Sequence, residues 1–354
     1  MSNTFTSKSL RSPKSPGAPF RAALLGIGAA LALALGAPAH AQNLPGSGKT
    51  VNLARPSWDT DWFPTSIYAK ALEALGYTVS GPTTLDVPTF YQAASQRDVD
   101  LWVSGWLPQQ QNYLDQFPGD LAVVGTVAAK GALQGFLVDK KTAEAHDIRN
   151  IADLAKPEIA RLFDANGDGK ADLVACPPGW ICEQDIDERL EAFGLRDAVQ
   201  PTKASYSASM ADAIGRYGEG KPILFYTWTP NWTVGALKPG RDVVWLETPE
   251  LPGKPEQSVA IAGVEGCVAD PCRLGWQVGD IRPIVNTAFI NENPAVRKLL
   301  ETASIPVDDI HAQNARMNDG ENTEADIARH ADEWIGKNRE TFDSWIAQAG
   351  AAAR

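Results

Sequence analysis

Hydrophobic positions along this chain switch repeatedly between a strand-like run and a helical spacing. Val51-Asn52-Leu53-Ala54 reads as a first strand. From Pro64 to Gly76, Ile67, Ala71, Leu72 and Leu75 recur at helical spacing, and the glycine ends the run. Tyr77-Thr78-Val79 predicts a second strand, Val87 to Ser95 a helix, and Val99 to Val103 a third strand. This β-α-β-α-β order predicts a mostly parallel sheet with helices on its faces. A second set follows. Leu133 to Val138 and Leu173-Val174-Ala175 read as strands, with short helical pieces at 151–154 and 157–163 between them. Glu183 to Phe193 carries Ile186, Leu190 and Phe193 at helical spacing, and Met210 to Tyr217 repeats the pattern. Ile223 to Trp228 is a continuous apolar run of the buried-strand type.

Val243 to Leu246 predicts another strand, and Ile284-Val285-Asn286 a last one. Between them, 247–279 is rich in Pro and Gly and reads as a surface excursion. Asn293-Pro294 predicts a helix with Asn as cap and Pro at the first position. From Thr323 to Trp345 the stripe Ile327, Trp334, Ile335, Phe342, Trp345 predicts one long amphipathic helix or two. Two α/β sets, with the chain leaving one and returning to it, predict two lobes and a cleft. The boundaries are 48–135 with 245–354 for lobe 1, and 136–244 for lobe 2. In open parallel sheets, ligands sit beyond the carboxyl ends of the strands.

The first 41 residues are set apart from this pattern. They hold Lys8, Arg11, Lys14 and Arg21 and no acid, then an apolar run from Ala22 to Leu35, then Ala39-His40-Ala41. That is the form of a cleavable secretory signal peptide. No later apolar run approaches the roughly 18–20 residues of a membrane span. An exported, soluble protein is expected, and the signal's form fits a periplasm. Removing the four basic residues of the signal from 32 leaves 28 against 43 acidic residues. Such a surface does not suit nucleic acid or anionic lipid.

The four cysteines fall into local pairs, Cys176/Cys182 and Cys267/Cys272. In an oxidising compartment this spacing reads as two disulfides, each closing a small loop. Zinc lacks support: neither pair is C-x-x-C, and none of the four histidines stands beside them.

Three of the 11 tryptophans occupy equivalent places. Trp106 follows the third strand, Trp180 follows Leu173–Ala175 inside the Cys176–Cys182 loop, and Trp228 ends the strand Ile223–Thr227. A single tryptophan is more often core than site, but these three point to one rim of the sheets. Indole faces attract cations, each ring contributing roughly 0.5–2 kcal/mol, and quaternary ammonium groups are their best guests. Right after Trp180 the predicted helix leaves the N–H groups near Ile181, Cys182 and Glu183 available, where a carboxylate is favoured. One loop thus offers an indole face beside an anion hole, which matches a betaine.

Several stretches carry a specific likeness: Ala132 to Ala143, Lys156 to Leu173, Pro178-Gly179-Trp180, Tyr226-Thr227-Trp228-Thr229-Pro230, Asp242 to Leu246, and Ala312 to Ala315. Through them, nearly all of the chain after the signal resembles the periplasmic glycine betaine/proline betaine-binding proteins of ProU-type ABC importers, the ProX family. The resemblance implies a two-lobed, type II-like α/β binding protein with its ligand in the interlobe cleft. It implies that Trp106, Trp180 and Trp228 box the quaternary ammonium and that the N–H groups of Ile181 and Cys182 hold the carboxylate. It implies osmoprotectant capture, delivery to an inner-membrane permease and ATPase, no enzymatic activity, and a monomer. Two departures stand out. Gln110, between Gln109 and Gln111, occupies the place of a family histidine that donates to the carboxylate, and 263–277 adds a loop with its own cysteine pair.

Other motifs carry less. Asp164-Ala165-Asn166-Gly167-Asp168-Gly169-Lys170-Ala171-Asp172 matches the first nine positions of a calcium loop, but Ala175 replaces the bidentate Glu. Asx-turns explain the same residues, so a structural calcium is the lesser reading and no cofactor is expected. His146, His311 and His330 stand in no catalytic motif, which argues against a cleft hydrolase. Alternative ligands in the same class are choline, carnitine and ectoine; choline, lacking a carboxylate, gains nothing from the Ile181 and Cys182 amides.

Overall fold

The computed structural model describes residues 44–354. The signal segment 1–41 lies outside the described residues. Among these, eleven strands form two sheets. They are β1 (Thr50–Pro56), β2 (Thr78–Leu85), β3 (Leu101–Leu107), β4 (Leu121–Val123), β5 (Ala128–Ala132), β6 (Gln134–Asp139), β7 (Ala171–Val174), β8 (Val199–Thr202), β9 (Leu224–Trp228), β10 (Val243–Trp245) and β11 (Gly279–Asn286).

In the first sheet β1 runs parallel to β2 and β3, joined through the helices Trp62–Ala74 and Val87–Ser95. The returning strand β11 lies antiparallel to β3 on one side and to β4 and β5 on the other. In the second sheet, ordered β10-β6-β9-β7-β8, the trio β8-β7-β9 is parallel while β6 and β10 are antiparallel to their neighbours. Both sheets are therefore mixed, each a parallel trio joined to one strand of opposite direction, β11 or β6, which carries further strands antiparallel to itself. The result is a two-lobed α/β architecture.

Several elements differ from their sequence outlines, for local reasons. β2 continues past Val79 to Leu85, although Gly81-Pro82 interrupts its pattern. The register against β1 shifts at this point, and Gly81 has φ +100°; a Cβ there would stand 2.6 Å from the Leu53 carbonyl oxygen. β11 begins five residues before Ile284, and Pro283 is accommodated at a register shift against β3, one of the few places a sheet tolerates proline. The C-terminal stripe divides into two helices, Glu324–Lys337 and Arg339–Ala352, around Asn338, and Trp334 and Trp345 stack across the break at 5.7 Å.

Asn293 does precede the helix Pro294–Thr302, but its side chain does not cap it. Its Nδ2 donates instead to the Phe289 carbonyl at 2.9 Å, and its Oδ1 accepts from Lys49 Nζ and the Tyr77 hydroxyl. Nor is 247–279 wholly a surface excursion. Leu251, Cys272, Leu274 and Trp276 are buried, and Trp276 packs edge-on to Phe136 at 5.2 Å. Arg189 holds this segment down. It is fully buried, stacks 3.8 Å over Trp276, and donates to the Gly275 carbonyl and to Gln257 Oε1.

Candidate ligand-binding site

The carboxyl ends of β1, β3, β7 and β9 converge on one cavity. Trp58, Trp106, Trp180 and Trp228 line it, together with Tyr226, Gln109, Gln110, Gln134, Ile181 and Cys182. All the residues singled out from the sequence as ligand contacts thus stand around the same space. None of the lining side chains carries a charge.

Each wall is fixed differently. Residues alternate across a strand, so Trp102, Ser104 and Trp106 share one face of β3. Behind that face stands Asp61, at the start of the helix Trp62–Ala74, 1% exposed. Its Oδ2 accepts from Trp58 Nε1 at 2.7 Å, from Trp106 Nε1 at 2.8 Å, and from the Ser104 hydroxyl. Burial pushes the Asp61 pKa up, while these three donors pull against it.

Trp180 sits in the loop closed by the Cys176–Cys182 disulfide, whose Cα atoms are 5.9 Å apart. Gly179 precedes it at φ +92°, in close approach to Asp86. The Trp180 ring meets Trp58 at 5.4 Å and Trp228 at 5.7 Å, both edge-on. Its Nε1 donates to Ser57 Oγ at 2.7 Å, and Ser57 in turn donates to Asp86 Oδ1. Trp228 packs on Tyr206 at 4.8 Å, and its own buried Nε1 has no partner among the described residues.

The helix Ile181–Ala192 begins directly after Trp180 with no side-chain cap, so no side chain competes for its first N–H groups. On the opposite side Gln110 is fully buried. Its Oε1 accepts from the Tyr91 hydroxyl at 3.1 Å, and its Nε2 has no partner among the described residues. Gln109 Nε2 reaches Gln134 Oε1 at 3.0 Å and Asp185 Oδ2 at 2.6 Å. Asp185 Oδ2 also accepts from Trp276 Nε1, and the Tyr226 hydroxyl donates to Gln134 Oε1.

The sequence reading passed over several of these groups. Trp58 lies just past the end of β1 and Trp106 at the end of β3, so the rule that found the three box tryptophans also reaches a fourth. Tyr226 lies two residues before Trp228 on β9, hence on the same face. Gln134 and Asp61 gave no such signal, because nothing in their local pattern separates them from ordinary polar positions.

The second pair, Cys267–Cys272, is also bonded, and it closes a loop that bridges back to β10 through Trp245 and Cys267. It lines no part of the cavity. In the 164–172 loop Asp164 accepts from the N–H groups of Gly167 and Gly169, and Asp172 from that of Ala165 and from Asn166 Nδ2. The backbone donors lower the Asp164 pKa. Among the described residues no group of three or more His, Cys, Asp or Glu side chains is placed to hold a metal ion.

Two sheets whose strand ends enclose an aromatic cavity define a two-lobed binding protein. The chain belongs to the family described as the substrate binding domain of ABC-type glycine betaine transport systems, which it matches over residues 49–337. It is a transport component and not an enzyme. It is 41% identical over 328 residues to the glycine betaine/proline betaine-binding periplasmic protein of Escherichia coli (strain K12), covering 92% of this chain and 97% of that one. In fold it resembles the glycine betaine, L-proline-binding protein from Borrelia burgdorferi, with TM-score 0.67, 18% identity, and coverage of 86% of this chain and all of that one. It also resembles lactococcal OpuAC, solved in a closed form with glycine betaine, with TM-score 0.63, 21% identity, and coverage of 84% and 99%. No helix among the described residues is long and apolar enough to cross a membrane.

Proposed function

We propose that this protein captures glycine betaine or proline betaine in the periplasm and delivers it to an inner-membrane permease driven by an ATPase. One juxtaposition carries the reading: the uncharged indole walls of Trp106, Trp180 and Trp228 stand beside the uncapped helix start at Ile181 and Cys182. The rings receive the trimethylammonium head, and the two backbone N–H groups receive the carboxylate. The unpartnered Nε2 of Gln110 is a third donor aimed at that carboxylate. Export follows from the 1–41 signal, and the receptor acts as a monomer without a cofactor.

Lobe 1 comprises 48–133 and 277–354, and lobe 2 comprises 134–276. The sequence-based divisions at 135/136 and 244/245 would cut β6 and β10, which belong whole to the second sheet, and would part Trp276 from the Phe136 and Arg189 it packs on. Trp106 belongs to the first, Trp180 and Trp228 to the second, so the box is complete only when the lobes close. Ligand contacts to both lobes then drive closure. Titration of the tryptophan fluorescence with glycine betaine, proline betaine and choline tests the reading. Saturable quenching or shift by the two betaines, with choline bound more weakly for want of a carboxylate, is expected. Choline binding as tightly as the betaines would remove the role given to the Ile181 and Cys182 amides.

A further inference from the structure

We propose that Asp61 is the charge-selecting residue of this site: its carboxylate, held against the N–H edges of Trp58 and Trp106, supplies the negative charge that the cavity lining lacks. This rests on the reading of the cavity as a quaternary-ammonium site.

Three indoles of the site are oriented in two different ways. Trp180 is oriented by a neutral acceptor, Ser57 Oγ. Trp58 and Trp106 are oriented by a carboxylate that is 1% exposed. Orientation alone needs only a neutral oxygen. Burying a carboxylate is costly unless a cation compensates it. Ser104, Trp106 and Trp58 supply three hydrogen bonds to Oδ2, but among the described residues no lysine, arginine or histidine is one of the groups acting on Asp61, and its Oδ1 has no partner. The compensating cation is the ligand's own head group, seated one indole ring away. In this dry setting the attraction is only weakly screened. Donation of both N–H groups to an anion also enriches the two rings in electron density, deepening the negative faces a cation meets. Asp61 therefore acts through the rings and through space, as a positioning residue, without touching the ligand.

The test separates charge from shape. Glycine betaine and its carbon isostere 3,3-dimethylbutanoate share their outline and their carboxylate, and only the first carries a positive charge. Calorimetry on the wild type and on Asp61→Asn should show glycine betaine weakened by roughly tenfold or more, with the isostere changed by less than about twofold. The double exchange Asp61→Ser/Ser104→Asp returns a carboxylate to the same hydrogen-bonded pair and should restore the wild-type ratio of the two affinities. If Asp61→Asn does not fold, the exchange alone decides: a wild-type ratio supports the proposal and a collapsed ratio overturns it. Equal loss of both ligands in Asp61→Asn marks a purely structural role and overturns it, as does no change in either. A wild type that binds no quaternary amine at all would remove the reading of the site itself.

Discussion

The two halves of the aromatic cavity reach rigidity by opposite routes. On the β3 side, Trp58 and Trp106 are pinned by polar bonds to one buried carboxylate. On the side of the disulfide loop, Trp180 and Trp228 are pinned by a covalent clamp and by ring-to-ring packing, with one neutral hydrogen bond to Trp180 and none to Trp228. A flat wall for a cation can thus be held by electrostatics or by covalent and apolar packing. The difference lies in what each route costs: the first places a charge in the interior, and the second closes a loop of a few residues.

The comparison can be broken most directly on the packed side. Trp228→Ala removes a ring that touches Trp180, Tyr206 and Tyr226. It should weaken glycine betaine binding by more than roughly tenfold in calorimetry, given about 0.5–2 kcal/mol per ring plus the lost packing. Unchanged affinity would show that the box is drawn wrongly. Next in size, Cys176→Ser/Cys182→Ser frees the 176–182 loop, whose ends are separated by 6 positions. The chain-entropy argument for so short a loop gives a loss of about 2 kcal/mol in denaturant unfolding, and affinity should fall with it as Trp180 loses its fixed angle. Ser57→Ala takes away the neutral partner of Trp180 together with the hydroxyl donor to the Asp86 carboxylate. A loss of about 1 kcal/mol, or roughly fivefold in affinity, is expected.

The smallest effect sharpens the charged side. Because burial raises the Asp61 pKa above 3.8, the folded protein holds this proton more tightly than the unfolded chain. The stability contributed by the protonated form is fully present below about 3.8 and is lost as pH rises through the folded-state pKa. The stability of wild type relative to Asp61→Asn should therefore decline with rising pH across that window in ligand-free unfolding experiments. A difference that is flat with pH would mean that Asp61 is not desolvated in solution.

How far the sequence could be read follows from the same contrast. The disulfide loop announces itself, because two cysteines, a Pro-Pro-Gly turn and a tryptophan are contiguous from Cys176 to Cys182. Trp228 is also legible, at the end of an apolar strand and before Thr229-Pro230. The anchoring of Trp106 is not, since Asp61 lies 45 residues away and meets it only through tertiary structure. The fold shows the same division. Its strand-helix order is local and was readable, whereas the directions of β6, β10 and β11 are set by partners far along the chain. Trp276 is the clearest case: it lies in a Pro- and Gly-rich stretch that reads as surface, yet it packs on Phe136 and Tyr226 beneath the buried Arg189.

Asp185 sits where the two halves touch, and its Oδ2 is shared between Gln109 and Trp276. On the lobe motion proposed above, opening takes Gln109 away while Trp276, packed on Phe136 of the second sheet, keeps hold of that oxygen. On that motion the carboxylate oxygen keeps one donor and is not stripped bare. On that proposal, what holds the closed form together is left chiefly to the captured molecule's own grip on the indoles.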